Sequence, residues 1–253
     1  MISKRIIPLF LLRGKRLVKG TSFKGFIDVG DPLSQAMIYD AQGADEIIIV
    51  DIEAGKKGTI IDTEIIRRII YDCRLPISAG GGIKTMDDAR RCFESGADKI
   101  VVNTQAVIHP LFVKELSDEF GTQSVVVSLD VKKNSSNEYN VYIRAGKEGV
   151  SESPYSLIEK FVDYGAGEMI VTSIDKEGTL SGFDYNFLKL IRDRLPVPFI
   201  VSGGAGSYDH IVELFEQTDC DACAIGKMLF LRDYDIVRIK SYLKGKEIVM
   251  RDA

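Results

Sequence analysis

Tryptophan is absent from this 253-residue chain, and histidine (two residues) and cysteine (four) are scarce. Cysteines at 73, 92, 220 and 223 cannot staple a chain of this length, so a disulfide scaffold is excluded and a reduced, cytoplasmic setting is expected. His109 and His210 fall away from the strand ends, which leaves no imidazole for a Ser-His or Cys-His centre. Cys220 and Cys223 have the C-x-x-C spacing of a metal or redox pair, but Cys223 lies in the apolar run Ala222 to Ile225, and a buried strand is the stronger reading; no metal or other cofactor is expected. Long apolar runs are missing as well, since none approaches the roughly 20 residues of a membrane span. In Met1 to Gly20, Lys4, Arg5, Arg13, Lys15 and Arg16 interrupt the apolar residues, unlike a secretory signal. There is no basic stripe of the kind that binds nucleic acid, and the net charge is only −4.

What is present is ordinary in amount and telling in order. With 45% apolar residues the chain can bury a sizeable core, and its length suits one (β/α)8 TIM barrel, expected as a single domain over 1–253. Eight short Ile/Val-rich runs alternate with helix-like stretches, the pattern of parallel strands covered by helices. The expected strands are Ile6 to Phe10, Ile47 to Val50, Ile77 to Ala79, Ile100 to Val102, Val125 to Leu129, Met169 to Ser173, Phe199 to Val201 and Ala222 to Ile225. Asp62, Thr85, Ser153, Asp184 and Ser207 are placed as N-caps of the amphipathic stretches between them. After a polar insertion, Lys132 to Glu138, the alternating Tyr139 to Arg144 reads as a small hairpin arm.

The chain also resembles itself. Gly43–Asp51 matches Gly165–Ser173 at a displacement of 122 residues, while Ala79–Gly81 matches Ser202–Gly204 and Asp98–Asn103 matches Asp221–Gly226 at 123. Three matches at nearly one displacement imply two duplicated half-barrels.

Active sites of such barrels lie at the C-terminal ends of the strands. There the sequence has Gly80–Gly82 after the third strand and Gly203–Gly206 after the seventh. Glycine admits a close approach of backbone N–H groups to an anion, although each loop alone could be no more than a tight turn. Their symmetric recurrence favours two phosphate sites, completed by Asn103 and Thr104 in one half and Gly226 in the other. Asp51, Asp130 and Asp175, with Glu177 nearby, are the strand-end acids. Asp130 ends its strand between the two loops, where a general acid or base belongs; it could alternatively cap a helix or pair with Lys19.

Lys4–Pro8, Val18–Gly20, Gly30–Pro32, Gly80–Ile83, Gly96–Lys99, Gly165–Glu168, Thr172–Asp175, Gly178–Thr179 and Ser202–Gly206, in this order, resemble the HisF family, the cyclase subunits of imidazole glycerol phosphate synthase. The resemblance covers nearly the whole chain. It implies phosphate binding by Gly81, Gly82, Asn103, Thr104, Glu177, Gly178, Ser202, Gly203, Gly204, Ile225 and Gly226, with Lys19 on a substrate loop. It further implies a HisH-like glutaminase partner in a heterodimer, facing Asp98, and an ammonia gate of Arg5, Glu46, Lys99 and Glu168. The family uses two aspartates for proton transfer; Asp130 matches one, and Leu11 stands at the other. Leucine cannot carry a proton, a loss that costs roughly 10²- to 10⁴-fold in rate.

The expected function is therefore that of a HisF-like paralogue that supplies ammonia for converting an acetamido to an acetamidino group in surface-glycan (lipopolysaccharide) biosynthesis, beside a sugar amidotransferase. The alternatives are the cyclase of histidine biosynthesis itself and a noncatalytic ammonia conduit.

Overall fold

A computed structural model describes residues 3–251, so residues 1, 2, 252 and 253 of the expected 1–253 domain lie outside the described residues. Eight parallel strands form the frame: β1 (Arg5–Arg13), β2 (Ile47–Asp51), β3 (Ile77–Gly80), β4 (Lys99–Val102), β5 (Val125–Lys133), β6 (Glu168–Ser173), β7 (Phe199–Ser202) and β8 (Ala222–Ile225). Each pairs in parallel with the next, and β8 returns to β1 through Arg5 opposite Ala222 and Pro8 opposite Ile225. The sheet is thus a closed barrel with helices between its strands, the fold read from the sequence.

Alternation along each strand divides the apolar residues into two cores. Ile7, Ile48, Val101, Val126, Ile170 and Ile200 fill the barrel interior, whereas Ile6, Phe10, Ile47, Ile49 and their counterparts face the helices in a larger outer cluster. The helices begin where short polar side chains can satisfy free amides. Asp62, Thr85, Ser153, Asp184 and Ser207 each accept a hydrogen bond from an amide of the first helical turn, and Thr85 with Asp88 forms a complete capping box.

Two strands run several residues further than expected. β1 extends through Leu11 and Leu12 to Arg13, because Gly14 (φ +61°) turns the chain into an antiparallel hairpin of Arg16–Thr21 and Lys24–Gly30. β5 extends to Lys133 because it pairs with the expected arm, found as Tyr139–Ile143. Both hairpins rise over the C-terminal mouth of the barrel. The Phe23 ring of the first lies beside Gly146 at the turn of the second, as does the Ile174 side chain from the loop after β6.

Candidate active site

The mouth encloses a cavity of about 730 Å³. Leu9, Leu11, Ile48 and Val50 form an apolar wall on the β1–β2 side, Phe23 and Phe26 descend from the first hairpin, and Asp130 and Glu177 line the cavity. β1 lies beside β2 in a register that puts Leu11 opposite Val50, so the leucine occupies the mouth of the barrel. Its exposure is 8%.

Asp130 is half-buried and held from two sides. Asn103 donates from Nδ2 to its Oδ2 at 3.3 Å and to the Ser128 carbonyl at 2.9 Å, while the Ser128 hydroxyl donates to Oδ1 at 3.4 Å. Burial pushes the Asp130 carboxyl up from 3.8 to about 7, with the Ser128 hydrogen bond opposing and the negative charge of Glu177 reinforcing the shift. A carboxyl that titrates near neutrality can both give and take a proton at physiological pH. Asn103, read as a phosphate ligand, thus also positions Asp130.

That shift makes the residue costly to the fold. Raised above its unfolded value, the carboxyl keeps its proton in the native state where the unfolded chain has lost it, so stability falls as pH rises from about 4 to about 7. Asp130→Asn removes this penalty. Its stability advantage over the wild type should grow by about 2 to 3 kcal/mol between pH 5 and pH 8, measured by urea denaturation at each pH.

The other strand-end acids are committed elsewhere. Asp51 Oδ1 accepts from the amides of Glu53 (2.8 Å) and Ala54 (3.1 Å), which fixes the loop after β2. Asp175 Oδ2 accepts from the Lys133 amide at 2.9 Å and ties down the base of the second hairpin. Glu177 differs. It is buried, its Oε2 has no hydrogen-bond partner among the described residues, and burial raises its carboxyl despite the attraction of Lys19.

Lys19, expected on a substrate loop, belongs to the hairpin excursion between β1 and the first helix. It lies in a strand of the first hairpin with 1% exposure, and its ammonium donates to the Leu9 carbonyl and sits 5.0 Å from the centre of the Phe230 ring. Burial lowers it to about 8, against the raising effect of Glu177.

The glycine loops are related as the duplication implies. Gly81 (φ +116°) and Gly204 (φ +122°) share a backbone conformation that a side chain would strain, and a Cβ on Gly204 would also collide with the Gly182 carbonyl. Asn103 (φ −130°, ψ −84°) and Gly226 (φ −113°, ψ −97°) repeat one another as well. The cavity nevertheless treats the halves unequally. Gly81, Gly82, Asn103, Thr104, Glu177 and Ser202 line it, whereas Gly178, Gly203, Gly204, Ile225 and Gly226 lie outside its wall. The first hairpin explains the difference: its Gly20 carbonyl crowds Gly178, Ser22 N–H donates to the Glu177 carbonyl at 2.8 Å, and the Lys19 side chain fills the space above Gly226.

At the opposite end of the barrel, four charges alternate in a closed ring. Arg5 donates to Glu46 at 3.1 Å and to Glu168, and Lys99 donates to Glu46 at 3.1 Å and to Glu168 at 2.7 Å. Ser78 adds a hydroxyl donor to Glu46. Burial pulls the Arg5 guanidinium down, but Glu168 and Glu46 together outweigh it and raise the group above its ordinary value. Asp98, on the same face, accepts from the Ile77 amide at 2.8 Å; its duplicate Asp221 accepts from Phe199 at 3.0 Å, so both lock a strand entry. Cys220 and Cys223 are buried, burial raises both thiols, and no cluster of metal-binding side chains occurs among the described residues.

Sequence reasoning missed Lys56, Lys84, Arg144, Lys147 and the two phenylalanines of the cavity wall. A signal for the second pair existed in Arg144-Ala-Gly-Lys147, where three consecutive positive φ angles make a turn that aims its basic ends at the mouth.

Known proteins share this design from end to end. The histidine biosynthesis protein family matches residues 5–235. The HisF subunits of imidazole glycerol phosphate synthase from Methanococcus vannielii and Hydrogenobaculum are each 38% identical, over 99% of this chain and 100% of theirs. The corresponding subunit of Geobacillus kaustophilus is 36% identical over the same shares. With the closed barrel, the duplicated loops and this full-length similarity together, the chain belongs to the HisF family of imidazole glycerol phosphate synthase subunits.

Proposed function

We propose that this chain is the ammonia-accepting barrel of a two-component glutamine amidotransferase, and that its acceptor is amidated without closure of an imidazole ring. A HisH-like glutaminase docks at the N-terminal face beside Asp98. Ammonia passes the ring of Arg5, Glu46, Lys99 and Glu168, moves along the apolar interior and emerges beneath Asp130. The alternation of charge supports a gate, because two cations and two anions that neutralise one another can be buried together and can exchange partners in pairs.

At the mouth, ammonia forms a C–N bond to the acetamido carbonyl carbon, the C–O bond breaks, and the oxygen leaves as water with two protons that come from the nitrogen, Asp130 giving one to the oxygen and taking one from the nitrogen in turn. Asn103 holds the carboxyl in place and the apolar wall excludes water. The family's ring closure calls for a second proton-transfer group, and the observation that carries the amidation reading is Leu11 in that place, on the cavity wall. The acceptor fits the acetamido-sugar class, which becomes acetamidino in surface-glycan biosynthesis with a sugar amidotransferase as a further partner. The 36–38% identity to HisF subunits favours a second reading, ring closure in histidine biosynthesis.

Purified chain, ammonium chloride and the family's phosphoribulosyl-formimino substrate decide between them. The amidation reading predicts ring closure about 10²- to 10⁴-fold slower than by an aspartate-bearing HisF subunit. Turnover at ordinary enzymatic rates would overturn it.

A further inference from the structure

The two oxygens of Asp130 meet different chemistry. Asn103 reaches one of them: its Nδ2 donates to Asp130 Oδ2 at 3.3 Å and to the Ser128 carbonyl at 2.9 Å. A main-chain carbonyl only accepts, so the amide atom between these two groups is the nitrogen, and Thr104 Oγ1, donating to Asn103 Oδ1 at 3.3 Å, fixes the same orientation. An amide nitrogen only donates. Asp130 Oδ2 therefore stays an acceptor in both charge states of the carboxyl, since a proton placed there would face the amide hydrogen.

Oδ1 has the other kind of neighbour. The Ser128 hydroxyl lies 3.4 Å from it and has no other hydrogen-bond partner among the described residues. A hydroxyl both donates and accepts, so it can donate to the ionised carboxylate and turn to accept from the protonated acid. The distance is long, as contacts of a reacting group commonly are before a ligand closes the site. Ser128 is also deeper in the barrel than Asp130. Two residues earlier on β5, it points to the same face of the strand, stands opposite Ile170 and lines the cavity one pleat above Val126 of the interior.

We propose that Ser128 is a positioning residue for Asp130: it makes Oδ1 the oxygen that carries the exchangeable proton, and so turns that proton toward the barrel interior rather than toward Asn103. Both transfers of the amidation then pass through one oxygen. Oδ1 gives its proton to the oxygen on the tetrahedral carbon and takes the next from the nitrogen on the same carbon. Each pass moves one proton from nitrogen to oxygen and returns Asp130 to its starting state, and two passes release water. While Oδ1 is ionised, the Ser128 hydroxyl donates to it. Where the proton sits does not depend on the acceptor, and the inference rests on the amidation reading only for the use made of that proton.

Infrared spectra of the full chain labelled with carbon-13 aspartate test this without ammonia or acceptor. The difference between spectra on the two sides of the Asp130 midpoint, less the same difference for Asp130→Asn, isolates the acid C=O stretch of Asp130 from those of Asp51 and of Glu177, whose charge acts on it. A hydrogen bond to the carbonyl oxygen lowers that stretch. With the proton on Oδ1 the carbonyl oxygen is Oδ2, so Asn103→Ala should raise the stretch and Ser128→Ala should leave it in place. Ser128→Ala should meanwhile raise the carboxyl midpoint by about one pH unit, the loss of one hydrogen bond to the charged form, and Ser128→Thr should restore it. A stretch that rises in Ser128→Ala, a stretch that Asn103→Ala leaves in place, or a midpoint unmoved by Ser128→Ala would each overturn the proposal. Such a failure leaves amidation standing. Spectra as expected, together with ring closure by the wild type at ordinary enzymatic rates, remove the amidation reading alone.

Discussion

Leu11→Asp should raise ammonium-driven ring closure on the family's substrate by roughly 10²- to 10⁴-fold, the usual worth of one positioned proton-transfer group. The position suits the change. Leu11 lies opposite Val50 on the cavity wall, in a mouth where the Asp130 carboxyl, proposed as the proton carrier, is already fixed by Asn103 and Ser128. A carboxyl among Leu9, Val50 and Ile48 will itself titrate high because burial disfavours its charge. Two such groups in one cavity share protons, so the variant's pH–rate profile should be bell-shaped. Stability should fall by about 1 to 3 kcal/mol, since an apolar side chain at 8% exposure gives way to a polar one without a built partner. Leu11→Asn is the control: it incurs the same polar cost and carries no proton, so steady-state turnover should stay at the wild-type level. A gain in the asparagine variant equal to that in the aspartate variant would show that the cavity lacks room or polarity rather than an acid.

Glu168→Ala should cost about 3 to 5 kcal/mol of stability, the loss expected when one partner of a buried charge network is removed. Glu168 accepts from both Arg5 and Lys99 and is itself buried, so its loss leaves two cations sharing Glu46 in a poorly hydrated ring. Glu168→Gln keeps the shape and one acceptor oxygen and should cost less, because Glu46 can still neutralise part of the charge. Denaturant midpoints of the three proteins at one pH give the ordering; equal stability of wild type and Glu168→Ala would mean that the ring is wetter and looser than its distances imply. Neither variant touches the mouth, so Asp130 should titrate as before.

The barrel could be read from the sequence because two periodicities agree. Strands buried on both faces appear as unbroken Ile/Val runs, and each expected strand overlaps an observed one. All five expected caps bond to first-turn amides, since Asp, Ser and Thr at those positions act locally and need no tertiary information. Duplication was visible for the same reason, as paired backbone demands at Gly81 and Gly204 force glycine in both copies.

What escaped the sequence is tertiary. The hairpin after β1 has a short, polar sequence around Gly14 and Lys15, and nothing local says that it folds back to cover the second glycine loop. Lys19 reads as a loop lysine, yet the space above Gly226 exists only once β8 and the hairpin meet. The basic groups of the cavity wall, Lys56, Lys84, Arg144 and Lys147, come from three separate loops and converge only through contacts such as Arg144 with Thr104.

The proposed chemistry requires Asp130 to be a proton carrier poised at neutrality in a mouth that Leu11 has made apolar. Carbon-13 titration of the aspartate side-chain carboxyls, with Asp130 identified by the signal missing from Asp130→Asn, measures this directly. A midpoint at about 7 is predicted; a midpoint in the ordinary carboxylate range near 3.8 would contradict it.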